Sequence, residues 1–253
     1  MAANLTFRSA SASDVGKRRA LNEDAALARP EIGLWAVADG MGGHGGGDVA
    51  SRALVEALEE VPAPASASEL LDAFEARVGA VNGALRDLAR REGRAVIGAT
   101  LAALLIYGGH FACVWCGDSR VYLLRAGALR QLSHDHSEVQ DLVDRGILDK
   151  AEAKSWPRGN VVTRAIGAAD QAELEIVDGP AESGDRFLIC SDGLTAHVED
   201  GEIATHLAGA DPQAICDGLI ALTLERGAVD NVSVVVVFCE ESEVTVLHLG
   251  DRS

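Results

Sequence analysis

Three apolar runs of strand length carry an aspartate at one end, and the rest of the chain reads as elements arranged around them. Leu34-Trp35-Ala36-Val37-Ala38 runs into Asp39, and six glycines follow at 40, 42, 43, 45, 46 and 47. Arg186–Cys190 runs into Ser191-Asp192-Gly193, and Asp230-Asn231 precedes Val232–Cys239. Residues 5–14 (LTFRSASASD) read as an opening strand that breaks into a polar turn. Asp48 to Glu59 predicts a helix with Val49, Ala53, Leu54, Ala57 and Leu58 on one face. Val61–Ser68 (VPAPASAS) reads as a linker that closes on Ser68 as the N-cap of a longer helix to about Arg91. In that helix Leu71, Phe74, Val78, Val81, Leu85 and Leu88 repeat at alternating steps of three and four. The stripe suits a coiled-coil seam or a single helix laid on a sheet, and the second fits a chain with this many strands better.

From residue 97 the period shortens. Ala99–Tyr107, His110–Cys116, Arg120–Arg125 and Ala128–Leu132 are separated by Gly108-Gly109, Gly117-Asp118-Ser119 and Ala126-Gly127. Connections of hairpin length predict an antiparallel sheet here. His134 to about Arg164 is polar and partly helical, an insertion able to cover a cleft. Strands return at Glu173–Val177 and Arg186–Cys190. Helices are predicted near Val198–Leu207 and from Asp211, as N-cap before Pro212, to about Arg226. The tail from residue 241 suggests a short edge strand. With no internal repeat and no second block of composition, residues 1–253 read as a single α+β domain.

Composition narrows the function classes. The 253 residues are 48% hydrophobic and 24% charged, a globular balance. No apolar run reaches the ~18 residues of a membrane span, and the N-terminus lacks the basic-then-apolar layout of a secretory signal, so a cytoplasmic protein is expected. A net charge of −17 repels nucleic acid and anionic lipid. The five scattered cysteines suit a reducing compartment. Cys113 and Cys116 form a CxxC, but residues three apart on a strand point to opposite faces, which favours buried apolar side chains over a zinc or redox pair.

The candidate chemistry lies in the aspartates. If the last strand runs antiparallel to the others, Asp39, Asp192 and Asp230 converge at one edge of a sheet layer. Oxygen ligands of this kind suit hard cations such as Mg²⁺ or Mn²⁺. The run Gly16-Lys17-Arg18-Arg19-Ala20-Leu21-Asn22-Glu23-Asp24 is either a self-neutralising surface cluster or an arginine that holds an anion beside carboxylates that hold cations. The glycines after Asp39 are a surface loop or a place where an ion and an anion approach the backbone closely. Asp118 is a turn residue on structural grounds and a further candidate ligand.

These motifs resemble, in order, those of the metal-dependent type 2C serine/threonine protein phosphatases (the PPM family) in its bacterial form. The matching pieces are GKRRALNED at 16–24, VADGMGGHGGG at 37–47, GAT at 98–100, GDSRVYL at 117–123, SHDHS at 133–137, WPRGNVVTRAIG at 156–167, CSDGL at 190–194 and DNVSVVVV at 230–237. The resemblance covers about residues 5–240. It implies a four-layer α-β-β-α sandwich of two antiparallel sheets flanked by helices, with two Mn²⁺ or Mg²⁺ ions and in some members a third. By motif, Asp39 would bridge the ions, the Gly40 carbonyl would bind one of them, and Asp192 and Asp230 would complete the other's shell. Glu23 would act directly or through water, with Asp24 and Asn231 behind the ligands, and Asp118 with Asp192 would match the third site. Arg19 falls at the phosphate-binding arginine, and His44 is the candidate general acid. His134 and His136 read as structural around Asp135. The implied reaction is direct hydrolysis of phosphoserine and phosphothreonine by metal-activated water, opposing a bacterial Ser/Thr kinase, with 137–160 as a flap beside the cleft. The expected partners are phosphorylated proteins, a kinase and its targets, acting on a monomer. Two other functions share the motifs, a catalytically weak phosphoprotein-binding regulator and a metal-dependent hydrolase of small phosphate esters.

Overall fold

A computed structural model describes residues 5–42, 45–153, 156–159 and 161–242 of the chain. Along them run β1 (Leu5–Asp14), β2 (Asp24–Arg29), β3 (Leu34–Met41), α1 (Gly47–Glu59), α2 (Ala67–Glu92), β4 (Gly98–Ala99), β5 (Leu101–Tyr107), β6 (His110–Cys116), β7 (Arg120–Arg125) and β8 (Ala128–Gln131). There follow α3 (Glu138–Asp144), α4 (Lys150–Ala153), β9 (Glu175–Pro180), β10 (Arg186–Cys190), α5 (Asp192–Thr195), α6 (Asp200–Leu207), α7 (Pro212–Glu225) and β11 (Val232–Glu241). One sheet has the order β1-β11-β10-β7-β8, the other β2-β3-β5-β6-β9 with β4 against β3. Every pairing is antiparallel. The sheets stack, with helices on both outer faces, as the resemblance implied.

Three apolar layers hold the sandwich together. Leu34, Ala36 and Ala38 of β3 face α1 and α2, where they meet Leu54, Leu58, Phe74, Val78 and Leu85. The alternate residues Trp35 and Val37 face the other sheet and meet Phe187, Ile189, Val235 and Val237. Val234, Val236 and Phe238 of β11 face α6 and α7, against Ile203, Leu207, Ile215 and Leu219. A central strand is therefore apolar on both faces, which is why Leu34–Ala38 and Val232–Cys239 show no alternation in sequence. The five cysteines are free and buried, and they are distributed over the layers. Cys116 lies under the first helical layer. Cys113 and Cys239 lie between the sheets, and Cys190 and Cys216 under the second helical layer. Cys113 and Cys116 thus point to opposite faces of β6, as their spacing predicted.

Several expectations are corrected. Ser66, not Ser68, caps α2: its hydroxyl accepts from Glu69 N at 3.1 Å, while Glu69 Oε2 accepts from Ala65 N at 2.7 Å, leaving Ser68 inside the first turn. Val49 is 43% exposed because α1 begins at Gly47 and turns Ala50, Ser51, Leu54 and Leu58 inward. Residues 5–14 form one unbroken strand, since all ten pair with β11. The strand expected at Ala99–Tyr107 is interrupted at Thr100, and the one expected at Glu173–Val177 is shifted to Glu175–Pro180. The short elements β2 and α5 were not anticipated. Most consequential, Gly117-Asp118-Ser119 is no hairpin: β6 and β7 belong to different sheets, so this turn carries the chain from one to the other. The tail strand suggested beyond residue 242 lies outside the described residues.

Candidate metal centre

The carboxylates meet where the two sheets adjoin, rather than along one layer. Asp39 ends the core of β3 in one sheet, and Asp24 lies directly opposite it on β2. Asp192 follows β10 and Asp230 precedes β11 in the other sheet, where the two strands are antiparallel neighbours. Asp118 sits on the crossing turn. The side chains of Asp39 and Asp192 approach each other across the junction.

Gathering these groups raises Asp24, Asp39, Asp118 and Asp192 alike. Burial raises Asp39 well above the carboxylate range, and Asp24, Asp192, Asp118 and Asp230 push it further. Burial raises Asp118 likewise, with Asp192 and Asp135 adding to it and Arg120 opposing. Asp192 is raised by burial and by Asp230, and its approach to Asp39 holds it back. Asp24 is pushed up to about 7 by burial, against hydroxyl bonds from Ser191 and Ser233. Carboxyls crowded in this way either bind protons or bind a cation.

The surrounding chain is fastened to hold that geometry. The Asn231 amide accepts from Glu23 N at 2.8 Å and donates to the carbonyls of Val15 and Leu21 at 2.9 and 3.0 Å, tying loop 15–23 to the start of β11. Ser191 Oγ donates to Asp24 Oδ2 at 2.8 Å. Thr100 interrupts its strand to serve Asp39, whose N–H donates to Thr100 Oγ1 at 3.2 Å and whose carbonyl accepts from Thr100 N at 2.8 Å. Gly40 lies so close to its neighbours that a Cβ there would sit 2.1 Å from the Gly47 carbonyl oxygen and 2.6 Å from that of Glu23. A Cβ on Gly47 would in turn stand 2.6 Å from Glu23 Oε1 and 2.7 Å from the Gly40 carbonyl oxygen. The Glu23 carboxylate, the Gly40 carbonyl and the N-terminus of α1 therefore crowd one spot. Arg19 reaches over from its loop, and Arg19 Nη2 donates to Asp230 Oδ2 at 2.7 Å with half of the arginine side chain still exposed.

The donor set fits hard divalent ions. It is all oxygen, and buried Asp24 Oδ1 has no hydrogen-bond partner. Among the described residues no three His, Cys, Asp or Glu side chains close on a single point in metal-ligand geometry. An octahedral Mg²⁺ or Mn²⁺ keeps several waters and takes one or two carboxylates from the protein, which this arrangement can offer at more than one place.

The family model for protein phosphatase 2C matches residues 16–213. The chain belongs to that family. Its described residues bring the 2C motifs together, with Asp24, Asp39, Asp118, Asp192 and Asp230 at the sheet junction, Glu23 and Gly40 beside them, Arg19 at the rim and Asn231 buried behind. His44 lies outside the described residues. Among relatives, serine/threonine protein phosphatase PstP of Mycobacterium tuberculosis is 40% identical over 233 residues, which is 92% of this chain and 45% of PstP. The chain thus spans about half the length of that relative. A solved structure of PppA, a key regulatory component of T6SS in Pseudomonas aeruginosa, is 43% identical with a TM-score of 0.86, covering 92% of this chain and 98% of that one. The catalytic domain of PstP in complex with 2 manganese ions is 38% identical with a TM-score of 0.86, covering 94% and 100%.

Sequence reasoning about this 2C chain overlooked the hydroxyls of Thr100, Ser191 and Ser233. The signal was available, since each stands next to or within a motif, GAT, CSDGL and DNVS. His134 is exposed and pairs with Asp144 at 2.7 Å. His136 is buried, and Asp135 is engaged by Arg120 at 2.6 Å and by Gln131 at 2.9 Å.

Proposed function

We propose that this chain is a metal-dependent protein phosphatase that hydrolyses phosphoserine and phosphothreonine in proteins, opposing a Ser/Thr kinase in the cytoplasm. The observation that carries the reading is the convergence of Asp39 and Asp192 at the sheet junction, with three further aspartates and one half-exposed arginine around them. Asp39, the Gly40 carbonyl, Glu23, Asp192 and Asp230 would hold a Mn²⁺ or Mg²⁺ pair, and Asp118 with Asp192 would hold a third ion. Bound there, the ions supply Lewis acidity toward phosphate oxygen and water. The relative with 2 manganese ions supports that cofactor choice.

The chain's own residues do the rest. Arg19 offers a planar fork of N–H donors that suits two phosphate oxygens, and its bond to Asp230 aims it at the carboxylate cluster. Asn231 keeps the Arg19 loop and the Glu23 backbone in register with β11. Asp24, Ser191 and Thr100 fix the carboxylates from behind. His44, in the glycine-rich stretch of sequence after Asp39, is assigned as the acid that protonates the departing serine or threonine oxygen.

Hydrolysis of a phosphothreonine peptide with Mn²⁺, with Mg²⁺ and after EDTA tests the proposal. Turnover that requires added metal and exceeds that on a nucleotide substrate supports it; a folded, metal-loaded chain that binds the peptide without turning it over would leave a phosphoprotein-binding role instead. Arg19→Ala is expected to raise KM for the peptide by about tenfold or more with a smaller change in kcat, because a charge-assisted bidentate contact is removed from the bound substrate. Steady-state kinetics on the purified variant checks this, and a fall confined to kcat would assign Arg19 to the transition state.

A further inference from the structure

The proposed reaction leaves a buried polar network near the carboxylates without a role. It surrounds His136, next to the crossing turn. The imidazole is 5% exposed and lies 6.0 Å, centroid to centroid, from the Trp115 ring, at an interplanar angle of 22°. Gly117 N–H donates to His136 Nδ1 at 3.1 Å, and the Gly117 carbonyl accepts from the His136 backbone N at 2.9 Å. One residue therefore grips both polar groups of Gly117, immediately before Asp118. With Nδ1 accepting, the ring proton is on Nε2, which faces Glu175 Oε1 at 3.2 Å. Arg164 Nη1 donates to the same oxygen at 2.7 Å. Burial and the Arg164 charge both lower the His136 pKa, which keeps the ring in this neutral form.

The other side of the turn is already fixed. Gly117 has φ +114°, and a Cβ there would lie 2.6 Å from Thr100 Cβ, so the turn is pressed against the residue that serves Asp39. Ser119 Oγ bonds Thr100 Oγ1 at 2.7 Å. His136 also stands at the neck of the flap. Thr163 N donates to the His136 carbonyl at 2.8 Å, Glu138 N donates to the Val161 carbonyl at 2.9 Å, and Ser137 bridges Val162.

We infer that His136 is a positioning residue that holds Asp118 in the carboxylate cluster by clamping the Gly117 peptide, and that it ties the placement of Asp118 to the closed neck of the flap. The inference rests on the phosphatase reading for its effect on rate, and on geometry alone for the clamp. The imidazole is not among the residues assigned to the substrate or the ions. It acts through a single peptide.

Four variants of the full chain test it: His136→Ala, His136→Asn, His136→Gln and Asp118→Ala, with the double variant of the first and last. His136→Ala is expected to lower kcat on the phosphothreonine peptide by about tenfold or more, with KM within about twofold, the scale seen when support for a ligand is lost. His136→Asn places an amide oxygen near the position of Nδ1 and should restore most of the loss. His136→Gln places it near Nε2 and should not. Because both residues act as one unit, the double variant should be no slower than Asp118→Ala. Losses that multiply, or equal rates for the Asn and Gln variants, overturn the inference. The second readout is amide hydrogen exchange at Gly117 in EDTA. Exchange should be slow in the wild type and His136→Asn, and fast in His136→Ala and His136→Gln. A Gly117 amide that stays protected in a folded His136→Gln overturns the clamp. If the wild type shows no metal-dependent turnover, the phosphatase reading fails by itself and the exchange result still decides the clamp. If His136→Ala fails to fold, the Asn and Gln pair carries both comparisons.

Discussion

Asp39→Asn is expected to lower kcat toward a phosphothreonine peptide by at least about a hundredfold at saturating Mn²⁺, the scale on which even an indirect support of a metal site acts. The same variant should keep its fold. Asparagine matches the shape of aspartate, its amide can still meet the Asp192 carboxylate, and one of several buried like charges is removed. Burial and four neighbouring aspartates raise Asp39 far above its usual range, so the charge in this place strains the metal-free chain rather than supporting it. Thermal unfolding in EDTA should therefore show Asp39→Asn at least as stable as the wild type, while turnover is lost. Near-normal turnover in the variant under saturating Mn²⁺ would remove Asp39 from the metal assignment. A collapse of stability together with activity would mean that the residue is structural.

The second large effect is a reversal of pH dependence on metal removal. Asp24 has an ordinary value of 3.8 and is held near 7 in the folded chain, and Asp39, Asp118 and Asp192 are raised in the same sense. An acid whose folded pKa lies above its unfolded value binds more protons in the folded state. It contributes stability that is complete below the unfolded pKa and is lost as pH rises through the folded one. Between about pH 4 and pH 7 the EDTA-treated chain should therefore lose stability as pH increases. The carboxylates depressed by partners, Asp144, Glu175 and Glu202, act oppositely but at lower pH, since they titrate at or below their ordinary values. Added Mn²⁺ competes with protons for the raised groups, so its stabilisation should grow with pH across the same window. Thermal unfolding at several pH values, with and without Mn²⁺, checks both slopes. Asp24→Asn should flatten the metal-free slope, and an unchanged slope would show that Asp24 does not titrate as described.

Much of this arrangement was legible in the sequence, for identifiable reasons. His110–Cys116, Arg120–Arg125 and Arg186–Cys190 were bounded correctly because glycine or aspartate turns punctuate them at both ends. Asp39, Asp192 and Asp230 could be singled out because each stands where an apolar run stops or starts. Their meeting point could not be read the same way. Chain pattern reports which residues face a core, and not which of two stacked sheets a strand joins. A turn as short as Gly117-Asp118-Ser119 ordinarily makes a hairpin, and here it crosses between layers, which is what brings Asp118 to the junction. β2 was missed because DAALAR is short and begins inside a charged motif. α5 was missed because a four-residue helix has no period to detect. Val49 was assigned inward because an apolar residue at a helix start fits several faces until the first turn is fixed by Gly47.

The distribution of thiols has a practical consequence for following how the sandwich comes apart. Burial raises all five cysteines, Cys116, Cys190, Cys216 and Cys239 to about 12 and Cys113 beyond that, so none is a ready thiolate in the native chain. An alkylating reagent should find no target until a layer opens. Because each of the three layers carries its own thiol or pair of thiols, the order of labelling would give a residue-level clock of which interface parts first, with the native sequence as its own set of probes.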